Sequence, residues 1–595
     1  MSELLNGLHM EFDEFKCLAA LVRRPGLSQR AMADECHISL GTANAIAKKL
    51  KAKGLVSEGK VTEDGLAVLE PYRVRNAVIM AAGMSSRFAP ISYERPKGVL
   101  KVRGEVLIER QIRQLQDAGI NDITVVVGYK KEEFFYLEDA FGVKIVVNDE
   151  YANRNNNSTI KKVESILGNT YICSSDDYFS INPFEAYVYD SYYAAEYRNG
   201  PTDEYCLITK GKGGLIVGVD VGGGADSWVM LGHAYWDEAY CRTFCEILDR
   251  IYDEPETAGK LWEDIYAEHV AELPMRIRKY PSDAIWEFDS LDELRGFDPF
   301  FIENVDSGIL DNICATLGCT RDDVKCFVPI KQGLTNLSVR FEVDGASYVY
   351  RHPGAGTSEI IVRESEAFSQ GVARELGIDR TFVYEDPATG WKISRHIEGC
   401  VPFDYHDPAH VEQAMEIGCK LHSSGATSPW TFDVYQKAVE IVGLLGKVEF
   451  TGYAELAERA ERLDAFVKAD GVAPVLCHND FYAPNFLVHE DGMDLIDWEY
   501  SAMSDYASDL GTFICCSDYG IEEAEGAVRA YFGREPSANE MRHCMAYVAL
   551  SAFYWFVWAL YKDKTGDPVG EWLYLWYRMA KTFGAHALSL YEESN

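Results

Sequence analysis

What this sequence is short of narrows it first. No two of its 15 cysteines stand at CxxC spacing and no His/Cys cluster falls at zinc spacing, which argues against a metal-knuckle module or a disulfide-built fold. Basic charge is scarce. The chain has 57 Lys+Arg against 94 Asp+Glu, a formal net charge of −37, which argues against broad adhesion to nucleic acid or anionic membrane and does not penalise a cationic small substrate. Long apolar runs are nearly absent. The one segment worth testing as a span, CMAYVALSAFYWFVWALY (Cys544–Tyr561), is broken by small and polar residues and has no second span beside it, so a buried helix and no membrane span are expected. The opening MSELLNGLHMEFDEF lacks the basic segment and apolar core of a secretion signal. Free thiols and a cytoplasmic location are the joint expectation.

What is present is ordinary globular material: 47% hydrophobic and 12% aromatic residues, ample for buried cores. At 595 residues the chain is too long for one core. Three segments are expected, at 1–74, 75–297 and 300–595. In the first, FDEFKCLAALVRRPG, LSQRAMADECHI and SLGTANAIAKKLKAKGLV read as three helices, with Ser28 and either Ser39 or Thr42 as caps and Gly54 as a stop. Turn signals at Glu58-Gly59 and Asp64-Gly65 complete a winged helix-turn-helix. Residues 1–75 carry 11 Lys+Arg against 10 Asp+Glu, so the acidity lies in the remainder. Lys48, Lys49, Lys51 and Lys53 sit on the helix in the recognition position. DNA is therefore an open partner of residues 1–74, beside plain packing or dimerisation with solvated lysines; self-association also stays open.

The second segment alternates NAVIMAAG, GEVLIERQIRQLQDAGI, DITVVVGY, KEEFFYLEDAFG and VKIVVND. Strand–helix–strand at this spacing implies a Rossmann-like, mostly parallel sheet with ligands at the strands' carboxyl ends. The third opens on a hairpin, VRFEVDGASYVYRHPG, and becomes helical after Glu398. That is a bilobal α+β pattern with a polar loop between the lobes.

Two motif sets carry chemistry. In NAVIMAAGMSSRFAPISYERPKGVLKV a strand breaks into the small residues Ala81, Ala82, Gly83, Met84, Ser85 and Ser86, followed by Arg87 and Lys97. Such a turn lets backbone N–H groups approach phosphate, and the two cations suit a transferring nucleotidyl group and its pyrophosphate. The ordered A-A-G-x-S-S-R with Pro96-Lys97 resembles sugar-phosphate and choline-phosphate nucleotidyltransferases over about 220 residues. VNDEYANRNNNSTI and AIWEFDSLDEL are similar to the bacterial CTP:phosphocholine cytidylyltransferases. That resemblance implies a divalent ion, Mg2+, on Asp176 and Asp289, with Ser174 standing where relatives often carry another acid and Asp177 as its substitute. A choline headgroup calls for aromatic faces, for which Tyr178, Tyr187, Trp228, Trp236 and Trp262 are the candidates; Trp262 is the one that matches a tryptophan of the family.

HNDFYAPN followed by LIDWE fits H-x-D-x-x-x-x-N with a later aspartate. Phosphoryl transfer needs a carboxylate at the attacking hydroxyl, here Asp480, and oxygen ligands for magnesium, here Asn485 and Asp497. The set resembles the choline/ethanolamine kinase and aminoglycoside phosphotransferase superfamily over residues 310–595. It implies nucleotide contacts at Gly333 and Asn336, a strand Arg351 in place of a lysine, and Glu366 as its helix partner. In DWEYS, Trp498 and Tyr500 can face a trimethylammonium; Asp509 reads as a helix cap and His478 as a hydrogen-bonder beneath the loop.

The expectation is a bifunctional enzyme using ATP, CTP, choline and phosphocholine, giving CDP-choline. Ethanolamine or another amino alcohol, a sugar phosphate at the central site, and a DNA-binding regulator that senses choline metabolites are the alternatives.

Overall fold

A computed structural model describes residues 10–330, 336–353, 362–566 and 568–593. The chain divides into two compact units, Met1–Asp311 and Asn312–Asn595.

The first unit begins with the winged helix: helices Phe12–Arg23, Gln29–Glu35 and Leu40–Ala52, a short hairpin of Val56–Ser57 with Lys60–Val61, and helix Glu63–Leu69. Ser28 accepts the Ala31 N–H and Ser39, not Thr42, accepts that of its helix at 3.0 Å, satisfying donors that a helix start leaves orphaned. Its core joins the following domain through aromatic stacking. Tyr72 lies on Tyr189, ring centroids 5.1 Å apart, and Phe15 packs against both.

The next domain is built on a nine-stranded sheet. Lys144–Val147, Ile123–Val127, Asn76–Ala81 and Thr170–Ser174 are adjacent and parallel. The long strands Tyr192–Thr202 and Gly224–Trp236 pair antiparallel, as do Cys206–Lys210 and Leu215–Asp220. The expected parallel arrangement thus occupies one half, and the returning hairpins make the whole sheet mixed. In the parallel half Ala77, Val78, Ile79 and Val125 to Val127 are fully buried, as a sheet covered on both faces requires.

The second unit opens with a five-stranded antiparallel sheet in the order Lys325–Ile330, Asn336–Val343, Ala346–Pro353, Trp391–Arg395, Phe382–Asp386. Helix Arg363–Glu375 stands beside it and a helical lobe follows. Helix Ala538–Lys564 is, among the described residues, the one long and apolar enough to cross a membrane, yet 78% of its most apolar window is buried in the protein. It packs against helices Tyr506–Cys515 and Trp572–Glu592 within one hydrophobic core. Each large apolar side chain buried this way contributes roughly 1.5–3 kcal/mol.

Candidate active sites

Strands Asn76–Ala81 and Thr170–Ser174 run parallel and side by side, so the loops that leave their carboxyl ends share one edge. Ala81 and Ala82 are buried, and the Ala82 carbonyl accepts the Tyr129 N–H at 3.0 Å. Gly83 and Met84 are exposed. A Cβ at Gly83 would meet no atom within 4 Å, so the protein's own packing does not demand the glycine. Ser85 adopts a left-handed backbone, φ 47°, and Ser86–Phe88 form a 3-10 turn.

That turn presents Arg87, whose Nη1 lies 2.6 Å from Asp289 Oδ1. Lys97 is 6% exposed. Its Nζ lies 2.7 Å from Asp176 Oδ2, donates to the Phe288 carbonyl and sits 4.5 Å over the Phe88 ring. The structure therefore gathers all four sequence-expected groups as two neighbouring ion pairs, joined through Phe288 and Asp289. Asp177 is buried next to them, with no hydrogen-bond partner on either oxygen. Burial and the charges of Glu287 and Asp176 hold its carboxyl well above the usual range.

The two aromatic candidates here are packed inward. Trp262 is 1% exposed, stacked on Tyr193 at 5.5 Å and edge-on to Trp236. Tyr178 lies under the Arg110 guanidinium and against Phe297. Beside Trp262, Glu263 accepts the Tyr193 hydroxyl at 3.2 Å and is pushed up to about 7 by burial.

In the second unit a cleft of about 680 Å³ brings together Arg351, Asp480, Asn485, Asp497 and Tyr500. Asn485 Nδ2 donates to Asp480 Oδ2 at 2.9 Å and to the Asp480 carbonyl at 2.8 Å, leaving the amide oxygen as an acceptor. Asp497 takes a left-handed backbone, φ 68°, and lies 3.7 Å from Arg351 Nη1. Arg351 in turn binds Glu366 at 2.6 Å, and Glu366 also takes Arg363 and Lys392. These cations keep the Glu366 carboxyl below its ordinary value despite the opposing effect of burial. Burial and the nearby Asp497 push Asp480 well up. Gly333 lies outside the described residues, as does the side chain of Asn336, whose backbone pairs with Pro353.

Two sequence expectations change here. Asp505, not Asp509, caps helix Tyr506–Cys515. Asp509 lies inside that helix and accepts the backbone N–H groups of His478, at 2.8 Å, and Asn479, at 2.6 Å, while pairing with His422. It therefore fixes the loop that carries Asp480. Trp498 does not line the cleft: it is fully buried, donates to the Leu495 carbonyl and packs on His478.

The cleft wall is instead made by Tyr500 with Trp555, Trp558 and Trp576. Trp555 and Trp576 stack at 5.6 Å and Trp558 stands edge-on to both. Sequence reasoning missed these, along with Lys392 and Glu499. Trp555 and Trp558 are three residues apart in a helix, hence on one face, but nothing local separates a cleft-facing tryptophan from a core one.

Three family models match the chain: the MarR family at residues 9–65, the MobA-like NTP transferase domain at 77–170 and the phosphotransferase enzyme family at 327–546. The chain is 32% identical to choline-phosphate cytidylyltransferase of Streptococcus pneumoniae over 37% of this chain and 95% of that protein. It is 34% identical to 2-aminoethylphosphonate cytidylyltransferase of Lancefieldella rimae over 38% of this chain and 93% of that protein. The crystal structure of choline kinase LicA from Streptococcus pneumoniae aligns with 47% of this chain and 98% of that one, at 23% identity and a TM-score of 0.41. Enzymes of both transferase families use divalent metal ions. The donor sets here fit such ions: Asp176 and Asp289 in the first unit, the Asn485 amide oxygen and Asp497 in the second.

Proposed function

The chain belongs to the cytidylyltransferase family of these relatives, joined to a MarR-like winged helix and a phosphotransferase, and we propose that it phosphorylates choline with ATP and then transfers CMP from CTP to phosphocholine, releasing pyrophosphate. The product of the second unit is the substrate of the first.

The observation that carries the choice of headgroup is the aromatic wall of Tyr500, Trp555, Trp558 and Trp576 in the cleft that holds Asp480. A trimethylammonium offers no N–H to donate, so aromatic faces and a nearby acid such as Glu499 are what can recognise it. Asp480 orients the choline hydroxyl and accepts its proton as the oxygen attacks the γ-phosphorus of ATP, breaking its bond to the β-phosphate oxygen and releasing ADP. Arg351 neutralises nucleotide phosphate, with Glu366 holding its guanidinium. In the first unit a phosphocholine oxygen attacks the α-phosphorus of CTP in line, over the small-residue turn. Arg87 and Lys97 leave their aspartates for the triphosphate and stabilise the charge that builds on the departing pyrophosphate. Asp176 and Asp289 in the first unit, and Asn485 and Asp497 in the second, would hold a magnesium ion, which would supply positive charge against the transferring phosphates. The aromatic candidates Trp262 and Tyr178 are buried and stabilise the first unit's packing rather than offering open faces to a headgroup.

A cytoplasmic setting fits the 15 free cysteines. Duplex DNA is the partner proposed for the winged helix, through Lys48 and Lys51. Lys49 and Lys53 are turned one step round the helix and held by Glu14, so this contact is expected to be weak.

Phosphorus NMR with ATP, CTP, magnesium and choline tests the reading. Transient phosphocholine followed by CDP-choline is expected, the second step lost in Asp176→Ala and the first in Asp480→Ala. Turnover of ethanolamine but not choline would overturn the aromatic argument. Cytidylylation of 2-aminoethylphosphonate in place of phosphocholine would reassign the first site.

A further inference from the structure

Helix Leu107–Asp117 buries Leu107, Ile108, Ile112 and Leu115 in the first unit's core. Two glutamines fall among these positions, Gln111 at 0% and Gln114 at 8% exposure. A buried amide is costly unless it is hydrogen-bonded, so a Leu/Ile stripe carrying two of them needs a reason.

The reason is the loop they reach. Gln111 Nε2 donates to the Ser174 carbonyl at 2.9 Å and Gln114 Nε2 to the Phe179 carbonyl at 3.1 Å. Arg110, one residue round the helix, sends Nε at 3.0 Å and Nη2 at 2.9 Å to the same Phe179 carbonyl. Its guanidinium lies 4.5 Å over the Tyr178 ring. Ser174 ends one strand and Phe179 ends the next, and Asp176 and Asp177 lie between them. One helix face therefore clamps both ends of the segment that carries the candidate metal carboxylate. The clamp is itself braced, by Glu105 on Arg110 and by Asn182 on the Gln114 carbonyl at 2.7 Å.

We propose that Arg110, Gln111 and Gln114 are positioning residues for cytidylyl transfer, fixing where Asp176 stands without touching substrate. The inference rests on the reading of Asp176 as a divalent-ion ligand. Groups that orient a ligand typically change metal affinity or activity about 10–100-fold when removed.

The test uses the full chain carrying Asp497→Ala, which silences the second metal site, and titrates Mn2+ by electron paramagnetic resonance with CTP present. Gln111→Leu keeps the helix and its volume. It is expected to weaken Mn2+ binding about tenfold or more, and to raise by the same factor the magnesium needed for half-maximal cytidylyl transfer. Choline phosphorylation, measured without Asp497→Ala, serves as the folding control and stays unchanged. Wild-type Mn2+ affinity in Gln111→Leu, with Asp176→Ala abolishing it, overturns the clamp and leaves the metal reading intact. Retained affinity in Asp176→Ala overturns the metal reading and the clamp with it. If Gln111→Leu loses its thermal transition, Arg110→Gln on the more open side of the clamp decides in the same way, its wild-type affinity overturning the proposal.

Discussion

The two candidate sites gather similar groups and hold them differently. In the first unit both cations are spent on both acids, Arg87 on Asp289 and Lys97 on Asp176. In the second, Asp480 is held by the neutral amide of Asn485, and Arg351 divides its guanidinium between Glu366 at 2.6 Å and a looser contact with Asp497 at 3.7 Å. On the proposed reading the first site exchanges partners when a triphosphate arrives, whereas the second is laid out around an existing cleft. The strength of the first latch is uneven. The Arg87 side chain is 72% exposed, and such pairs are worth roughly 0–1 kcal/mol. The Lys97 side chain is 7% exposed, and removing one member of a buried pair costs roughly 3–5 kcal/mol.

Substitutions can break this contrast. The largest effect is expected from Asp480→Asn, which should cut choline phosphorylation roughly 10²–10⁴-fold while transfer from CTP to supplied phosphocholine persists. Loss of transfer to supplied phosphocholine as well would mean that the sites are not independent. Next comes Lys97→Gln, expected to cost cytidylyl transfer about 10²–10³-fold, the scale of losing one transition-state donor, with the kinase rate as the control. A comparable loss from Arg87→Gln with no change in Lys97→Gln would invert the order of the two pairs.

Trp555→Ala sharpens the other side of the comparison. Losing one aromatic face should raise KM for choline about 3–30-fold, from roughly 0.5–2 kcal/mol of cation–π attraction, leaving KM for ATP unchanged. A last prediction, on stability rather than rate, concerns the first unit at acid pH. His233 is fully buried, accepts or donates to the Tyr192 hydroxyl at 3.0 Å, and is pushed down to about 3 by burial and by Arg278. Its folded value lies below its ordinary one near 6.5, so the folded state binds fewer protons. Stability should therefore fall as pH drops from about 6.5 toward 3, by up to about 1.4 kcal/mol per pH unit. Calorimetry of His233→Phe should show that limb of the first unit's transition flattened; an unaltered slope would assign acid sensitivity to other groups.

Much of this was legible in the sequence, and the reasons can be given residue by residue. A small-residue turn after an apolar strand marks a strand's carboxyl end, and Arg87 and Lys97 were nameable because their motif is short and ordered; Asp176 and Asp289 were nameable only through the family resemblance. The H-x-D-x-x-x-x-N spacing did the same for Asp480 and Asn485. Trp498 and Asp509 came out differently because their neighbours in sequence are not their neighbours in space. Trp498 follows Asp497 yet turns into the core behind it, and Asp509 reaches back to the loop at His478 and Asn479. The lysines of the winged helix show the same limit. Four stand close in sequence, but the helical turn sends Lys49 and Lys53 to Glu14 and leaves Lys48 and Lys51 facing away.

By itself the sequence determined the three-part order, the parallel strands and the loops that carry both motif sets, because each depends on local pattern: apolar periodicity, turn residues and fixed spacing along one stretch of chain. Only the tertiary structure decided which tryptophans form a wall and that Lys97 rather than Arg87 is the buried half of the latch. It alone also decided that two glutamines in a buried stripe hold the ends of the Asp176 loop. These are contacts between residues tens to hundreds of positions apart. Burial and hydrogen-bond direction there are set by packing of whole elements, which no local pattern encodes.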